Sequence, residues 1–136
     1  MSATKYIIVN ADDFGYYDCV SKGILDAADV GSVTATGVFG NSPFLDTHLP
    51  WLKQCSSLDM GVHLNLTNRA PLTREMQVQM RRWNGCFPGK FTMVKLILTG
   101  RLSLDMVAKE LRAQIIRCRT AGMKLSFLNS HEHIHM

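Results

Sequence analysis

The sequence lacks the features that would place it in a membrane or an oxidising compartment. No apolar run in its 136 residues approaches the roughly 20 residues that a membrane-spanning helix needs. Residues 1–5 are polar and lead directly into a strand-like segment, so no secretory signal is expected. The four cysteines lie more than 30 residues apart and form no CxxC pair. These absences favour a cytoplasmic protein whose reduced thiols act as small apolar side chains.

Internal repeats, low-complexity tracts and linker-like segments are also missing. With 46% hydrophobic and 19% charged residues, the chain has the composition of a globular domain rather than of a disordered or fibrous protein. We therefore expect residues 1–136 to form a single domain.

Charge is distributed unevenly. Residues 1–60 carry three basic and seven acidic residues, whereas residues 61–136 carry twelve basic and four acidic ones. Between Arg69 and Arg101, seven basic residues accompany only Glu75. Such a segment can bind anions, but no nucleic-acid-binding motif accompanies it. We expect a solvated basic surface, or one covered by an acidic partner, and no nucleic-acid partner.

Hydrophobic periodicity predicts strands that alternate with helices. The strands are predicted over Lys5–Asn10, Val33–Phe39, Leu58–Leu66 and Leu125–Asn129. The helices are predicted over Val20–Val30, Phe44–Gln54, Thr92–Leu98 and Leu104–Thr120, with an irregular segment over Thr67–Lys90. This alternation implies an α/β fold with right-handed βαβ units and a parallel sheet, open or closed into a barrel. Such sheets bind ligands at the carboxyl ends of their strands.

Residues able to bind a metal fall at those strand ends. Asp12 and Asp13 follow the first predicted strand, His63 lies near the end of the third, and the triplet His131-Glu-His-Ile-His135 follows the fourth. Asparagines also stand at or just beyond the four strand ends: Asn10, Asn41, Asn65 and Asn129. The remaining histidine, His48, lies in a polar segment and is expected on the surface.

Each of these features also has a structural explanation. An Asp pair after a strand commonly caps a helix or shapes a turn, and an isolated histidine is commonly a hydrogen-bonded core residue. The triplet is more specific. Alternate residues of an extended segment lie on one side, about 6.6 Å apart, where two imidazoles can converge on one ion.

Together, one carboxylate and two or three histidines suit zinc, manganese, iron or a related divalent ion. Three protein ligands leave positions open for water and substrate, which is typical of a catalytic site. The second carboxylate can then act as a general base toward the water. The residues therefore predict metal-dependent hydrolysis, without deciding which aspartate has which role.

Three ordered segments resemble a known family. They are Val9-Asn-Ala-Asp-Asp-Phe-Gly15, Gly61-Val-His-Leu-Asn-Leu66 and Asn129-Ser-His-Glu-His-Ile-His-Met136, and they resemble the YdjC-like carbohydrate deacetylases, including the chitooligosaccharide deacetylases. Ser32–Thr36 and Arg69–Leu72 fit the same pattern. The resemblance extends from about Tyr6 to the last residue.

The resemblance implies a deformed (β/α) barrel that removes acetyl groups from N-acetylated oligosaccharides or amino sugars. It implies a divalent metal, with magnesium as the first expectation and zinc as the second. By the matching motifs, Asp13, His63 and His131 would bind the metal and Asp12 would be the base. Candidates for contacting substrate or supporting these ligands are Asn65, Trp83, His133 and His135.

Family members are roughly twice as long as this chain, which has about four βα units where a barrel needs about eight strands. We therefore expect residues 1–136 to be the amino-terminal half of a longer deacetylase barrel. Two alternatives stay open. One is a catalytically incomplete half-barrel that binds metal, carbohydrate or a partner, with self-association as one way to cover its sheet edges. The other is a metallohydrolase of phosphate esters.

Overall fold

A computed structural model describes residues 4–134. Within them, strands and helices alternate as predicted. The strands are β1 (Asn10–Phe14), β2 (Ala35–Val38), β3 (Asp59–Leu64) and β4 (Leu125–Ser130). The helices are α1 (Asp18–Asp29), α2 (Leu45–Gln54), α3 (Arg74–Met80), α4 (Lys90–Leu98) and α5 (Leu104–Thr120), with short 3-10 helices at Arg81–Trp83 and His131–His133.

The four strands form one parallel sheet in the order β1-β2-β3-β4. Parallel neighbours need crossover connections, which the intervening helices supply. The prediction of an α/β fold with a parallel sheet is thus confirmed. Within residues 4–134, β1 and β4 each pair with one neighbour and form the edges of the sheet. None of the helices in this range is both long and apolar enough to cross a membrane.

Helices cover one face of the sheet. Phe14, Val38 and Val62 are buried in a core that also includes residues of α1, α2 and α5. Because side chains alternate along a strand, the neighbouring Gly37 and His63 lie on the opposite face. A second apolar cluster holds together the long connection between β3 and α5: Leu66, Met76, Met80, Phe87, Met93, Leu96, Leu102 and Val107.

Helix α5 has the bounds that its periodicity predicts. Its N-cap residue Ser103 accepts a hydrogen bond from the backbone N–H of Met106 at 3.2 Å, and Asp105 lies in the first turn. At its other end Gly122 adopts a φ of 84°, which glycine reaches without steric cost. Local signals at both ends therefore determine this helix.

The predicted first strand is wrong in position. The apolar run Lys5–Asn10 lies outside the sheet except for its last residue, and strand β1 begins at Asn10. Tyr6, Ile7 and Ile8 are largely exposed. Their apolar character predicts a buried strand, but no helix or strand within residues 4–134 covers them. The shift moves Asp12 and Asp13 from a loop into the sheet itself.

The segment Thr67–Lys90 is also more regular than predicted. It contains helix α3, whose residues Met76 and Met80 are fully buried in the second apolar cluster. The proline and glycine residues that suggested an irregular segment lie outside the helix, at Pro71, Gly85, Pro88 and Gly89. Helix α3 is only seven residues long and most of its side chains are polar and exposed, so its two buried methionines gave a weak periodic signal.

His48 is buried, which corrects the expected surface position. It lies in α2, and its Nδ1 is 2.9 Å from Ser21 Oγ while its Nε2 is 2.7 Å from Asp18 Oδ1. The Gly15 N–H donates to Ser21 Oγ at 2.9 Å. Because Ser21 is fully buried, its hydroxyl is not accessible as a nucleophile. The hydrogen-bonded row of Ser21, His48 and Asp18 instead links the turn after β1 to α1 and α2.

The cysteines differ in burial, and their reactivity should differ accordingly. Burial raises the pKa of Cys118 to about 12, against a small opposing effect of Arg117, whereas Cys19 and Cys86 are exposed. We predict that iodoacetamide at pH 8 modifies Cys19 and Cys86 in the native protein and Cys118 only after denaturation. Mass spectrometry of timed samples measures this. Modification of native Cys118 at the rate of Cys86 would contradict the packing described.

Candidate metal centre

A bulge in β1 directs two adjacent carboxylates toward one histidine. The pairing with β2 shifts register between Ala11 and Phe14, and Asp13 adopts a φ of 71°. Regular alternation would send neighbouring side chains to opposite faces, but here Asp12 Oδ1 lies 3.4 Å from His63 Nδ1 and Asp13 Oδ1 lies 3.2 Å from His63 Nε2. Aspartate tolerates this left-handed conformation better than most residues. The bulge therefore brings both carboxylates to the site.

Asp13, His63 and His131 form a compact group of three donor atoms. Asp13 Oδ1 lies 3.1 Å from His131 Nδ1, which in turn lies 3.2 Å from His63 Nε2. Ligands bound to one divalent ion at about 2.0–2.2 Å lie about 3.0–3.5 Å apart. The spacing of the three atoms thus fits ligands that share one ion.

The electrostatics of Asp13 also suit a cation. Its Oδ1 is buried and, among residues 4–134, accepts no hydrogen bond of good geometry. His131 first and His63 second hold the pKa of the Asp13 carboxyl well below its usual range, so it is ionised. Burial lowers the pKa of His63, but Asp13 and Asn129 outweigh that effect and raise it. A buried carboxylate oxygen without a hydrogen bond is a natural ligand for a metal ion.

The described part of the histidine triplet, residues 131–134, is not extended, contrary to the sequence-based expectation. Strand β4 ends at Ser130, and His131–His133 form a 3-10 turn in which Glu132 and His133 have φ values of 55° and 54°. Of the two described histidines of the triplet, His131 lies with Asp13 and His63 and His133 does not. His133 is exposed, with Nδ1 3.3 Å from Ser130 Oγ, and His135 lies outside the described residues.

The ring of His131 is supported from the loop after β3. Its Nε2 lies 3.0 Å from the side-chain amide of Asn68. Asn65 is fully buried and holds that loop, because it donates to Asn68 O at 2.6 Å and accepts from Asn68 N at 3.1 Å. Asn65 therefore supports His131 indirectly, through the loop that carries Asn68.

Helix α5 holds the same loop through two buried polar side chains. Gln114 accepts from the backbone N–H of Asn65 at 2.9 Å and donates to its carbonyl at 2.8 Å. One turn earlier, Glu110 accepts from the backbone N–H groups of Leu72 and Thr73 at 2.8–3.1 Å. The loop is therefore fixed at both ends by α5.

Aromatic rings lie beside the donor atoms of Asp13, His63 and His131. Phe39 lies edge-on to His63 and His131, with ring centroids 5.1 and 5.0 Å away. Tyr16 lies 6.4 Å from the His131 ring, and the guanidinium of Arg69 lies 5.0 Å from the Tyr16 ring. Trp83 contacts Arg82 and packs against the second apolar cluster; its role toward a sugar stays a prediction.

Several residues of the site escaped sequence-based reasoning. Asn129 was visible as a polar residue at a strand end, but Asn68 and Phe39 carry no motif that marks them. Gly37 is needed for close approach: a Cβ atom there would lie 2.6 Å from Asp12 Oδ1, 2.9 Å from Asn129 Oδ1 and 3.1 Å from His63 Cβ.

Together the fold and the three-ligand group define an α/β protein with a candidate metal centre at the carboxyl end of a parallel sheet. The model of the YdjC-like protein family matches residues 6–136, and the chain belongs to that family. It is 35% identical to a carbohydrate deacetylase of Halalkalibacterium halodurans, over 95% of this chain and 54% of that protein. It is also 35% identical to a carbohydrate deacetylase of Enterococcus faecalis, over 98% and 50%.

A solved structure shares this fold. It is an Enterococcus faecalis protein described as a proposed cellobiose-phosphate cleavage protein, which is 33% identical and superimposes with a TM-score of 0.80. The match covers 94% of this chain and 49% of that one. The chain thus spans about half the length of the relatives it matches.

Metal binding should depend on His63 and His131 but not on His133. A divalent ion bound at a free concentration of 100 Kd stabilises the fold by about 2.7 kcal/mol. We predict that Zn²⁺ or Mn²⁺ raises the melting temperature of the wild type and of His133→Ala, and that His63→Ala and His131→Ala lose this rise. Differential scanning fluorimetry measures it. An equal rise in all four proteins would place the ion elsewhere.

Gly37 and Gly23 allow the same substitution to be compared at a crowded and an open position. Gly37→Ala must displace Asp12 and Asn129, and we predict a cost of about 1–3 kcal/mol together with weaker metal binding. Gly23 lies in α1 with no atom within 4 Å of an added Cβ, so Gly23→Ala should stabilise by about 0.5–1 kcal/mol. Urea unfolding gives both values. A neutral Gly37→Ala would show that the site is loosely packed.

Proposed function

We propose that residues 1–136 form a single α/β domain that supplies the metal-binding and water-activating half of a carbohydrate deacetylase. The observation that carries the proposal is the contact of Asp13 Oδ1 with both His63 and His131, at 3.2 and 3.1 Å, beside the second carboxylate of Asp12. The deacetylases of Halalkalibacterium halodurans and Enterococcus faecalis, similar over nearly the whole chain, support an N-acetylated sugar as the substrate.

Asp13, His63 and His131 would hold one divalent ion. Two imidazole nitrogens and one carboxylate oxygen suit zinc or manganese better than magnesium, which prefers oxygen ligands. We therefore propose zinc or manganese ahead of magnesium, which the family resemblance places first. Once bound, such an ion would polarise the acetyl carbonyl and make an adjacent water more acidic.

Asp12 would act as the general base. Its Oδ1 accepts from Asn10 Nδ2 at 2.7 Å and from Asn129 Nδ2 at 2.6 Å. Within residues 4–134 both of these bonds go to Oδ1, so Oδ2 is available to accept a proton. The Asp12 side chain is 40% exposed, so a substrate could reach it. Asp12 would take a proton from the attacking water, whose oxygen bonds to the carbonyl carbon. The C–N bond would then break as the leaving nitrogen takes up a proton from Asp12 or from solvent, which would release acetic acid and the sugar amine.

Acetate release from N-acetylated chitooligosaccharides tests the proposal. The chain is incubated with Zn²⁺, Mn²⁺ or Mg²⁺, and the Halalkalibacterium halodurans relative serves as the control for the assay. Asp12→Asn keeps an acceptor oxygen toward Asn10 and Asn129 but loses the base. We predict that it lowers kcat by about 10²- to 10⁴-fold with metal affinity retained.

Two other outcomes would favour the alternatives. Metal binding without acetate release, under conditions where the relative is active, would identify a binding half-barrel that needs further strands for catalysis. Phosphate release from a sugar phosphate would favour the phosphate-ester hydrolase. The basic segment between Arg69 and Arg101 suits a phosphorylated substrate, and the Enterococcus faecalis structure is described as a proposed cellobiose-phosphate cleavage protein.

A further inference from the structure

Asn129 lies between the proposed base and one of the proposed metal ligands. Strand pairing places it directly opposite His63, because these two residues are register partners between β4 and β3. Its side-chain amide contacts Asp12 Oδ1 through Nδ2 at 2.6 Å and His63 Nδ1 through Oδ1 at 2.8 Å. One amide therefore joins the two functional groups.

The chemistry of these three groups determines the direction of both hydrogen bonds. An ionised carboxylate can only accept, so the amide nitrogen of Asn129 must face Asp12. The amide oxygen then faces His63 and can only accept as well. His63 must therefore donate from Nδ1, which leaves Nε2 without a proton in the neutral ring. That Nε2 is the atom that lies 3.2 Å from Asp13 Oδ1 and 3.2 Å from His131 Nδ1.

We propose that Asn129 is a positioning residue that holds neutral His63 as its Nδ1–H tautomer and thereby presents an unprotonated Nε2 to the metal. The inference rests on the metal role given to His63 in the proposed function. Metal-bound histidines commonly donate their second ring N–H to a nearby oxygen, which selects the tautomer and orients the ring. In this chain the oxygen belongs to an amide that Asp12 keeps in one orientation.

The packing around Gly37 keeps this arrangement in place. Asp12 Oδ1, Asn129 Oδ1 and His63 Cβ all lie within 3.1 Å of the position that a Cβ on Gly37 would occupy. The amide of Asn129 is thus held over the bare backbone of β2. A flip of that amide would place its nitrogen against His63 Nδ1–H and its oxygen against the Asp12 carboxylate, so two hydrogen bonds would be lost together.

Asn10 provides a matched control. It donates to the same oxygen of Asp12, at 2.7 Å, but the described contacts do not link its side chain to His63. The same substitution at the two positions therefore separates loss of a bond to Asp12 from loss of the bond to His63. We compare Asn129→Leu and Asn10→Leu, with Asn129→Asp as the conservative variant whose carboxylate can still accept from His63 Nδ1.

The test measures the tautomer of His63 in metal-free protein by long-range ¹H–¹⁵N NMR, at a pH high enough to keep the ring neutral. We expect the Nδ1–H form in the wild type, in Asn10→Leu and in Asn129→Asp, and a shift toward the Nε2–H form in Asn129→Leu. Calorimetric titration with Zn²⁺ should show a loss of affinity of about 10- to 100-fold in Asn129→Leu. Asn10→Leu should stay within about threefold of the wild type, whereas Asn129→Asp, which brings a second carboxylate against Asp12, is compared only for its tautomer.

An Nε2–H ring in the wild type would overturn the proposal. So would a folded Asn129→Leu that keeps the Nδ1–H form and wild-type zinc affinity. If Asn129→Leu does not fold, Asn129→Asp decides, because an Nε2–H ring there would contradict the role of the oxygen acceptor. None of these readouts requires acetate release, so a failure of the deacetylase proposal is seen separately.

Discussion

The register between β3 and β4 is the constraint on which the site depends. Because His63 pairs with Asn129, the ring and the amide meet across the sheet, and the chain reaches His131 only two residues later. A slip of one residue would turn these side chains to the helix-covered face. The helices on that face bury Val62, Val38 and Phe14, so the apolar core holds the polar site in register. Stability and site geometry are two results of the same strand pairing.

The bulge in β1 adds what regular pairing does not provide. Two consecutive residues of a strand normally serve opposite faces, yet both carboxylates here contact His63. The φ of 71° at Asp13 has a conformational cost on the order of 1–3 kcal/mol, which the surrounding sheet must outweigh. The two carboxylates thereby make different contacts. Asp13 contacts His63 and His131, whereas Asp12 accepts from the amides of Asn10 and Asn129 and is partly exposed to solvent.

Local signals predicted much of this architecture. Helix α5 has caps and charges at both ends, and its bounds follow from the sequence alone. The four parallel strands follow from the alternation of apolar runs and helices. The run Lys5–Asn10 misled because its apolar character predicts burial, whereas no helix or strand within residues 4–134 covers Tyr6, Ile7 and Ile8. The bulge at Asp13 and the left-handed turn at Glu132 and His133 depend on tertiary contacts, which periodicity does not report.

The candidate ligands could be found because carboxylates and imidazoles are common metal ligands and these residues fall at strand ends. The residues that hold these candidate ligands in place could not be found in this way. Asn68, Gly37 and Phe39 are ordinary residues whose importance lies in what approaches them in space. Asn129 falls between these cases: its position at a strand end was visible, but its orientation requires the contacts with Asp12 and His63.

The two buried polar side chains of α5 have a consequence for how the site can change. Gln114 binds both backbone groups of Asn65, as a neighbouring strand would, while Asn65 holds the loop whose Asn68 meets His131. Helix α5 therefore influences the His131 ring indirectly, through Asn65 and Asn68. Substitutions along this helix would therefore shift the position of His131 while Asp13, His63 and His131 themselves stay the same.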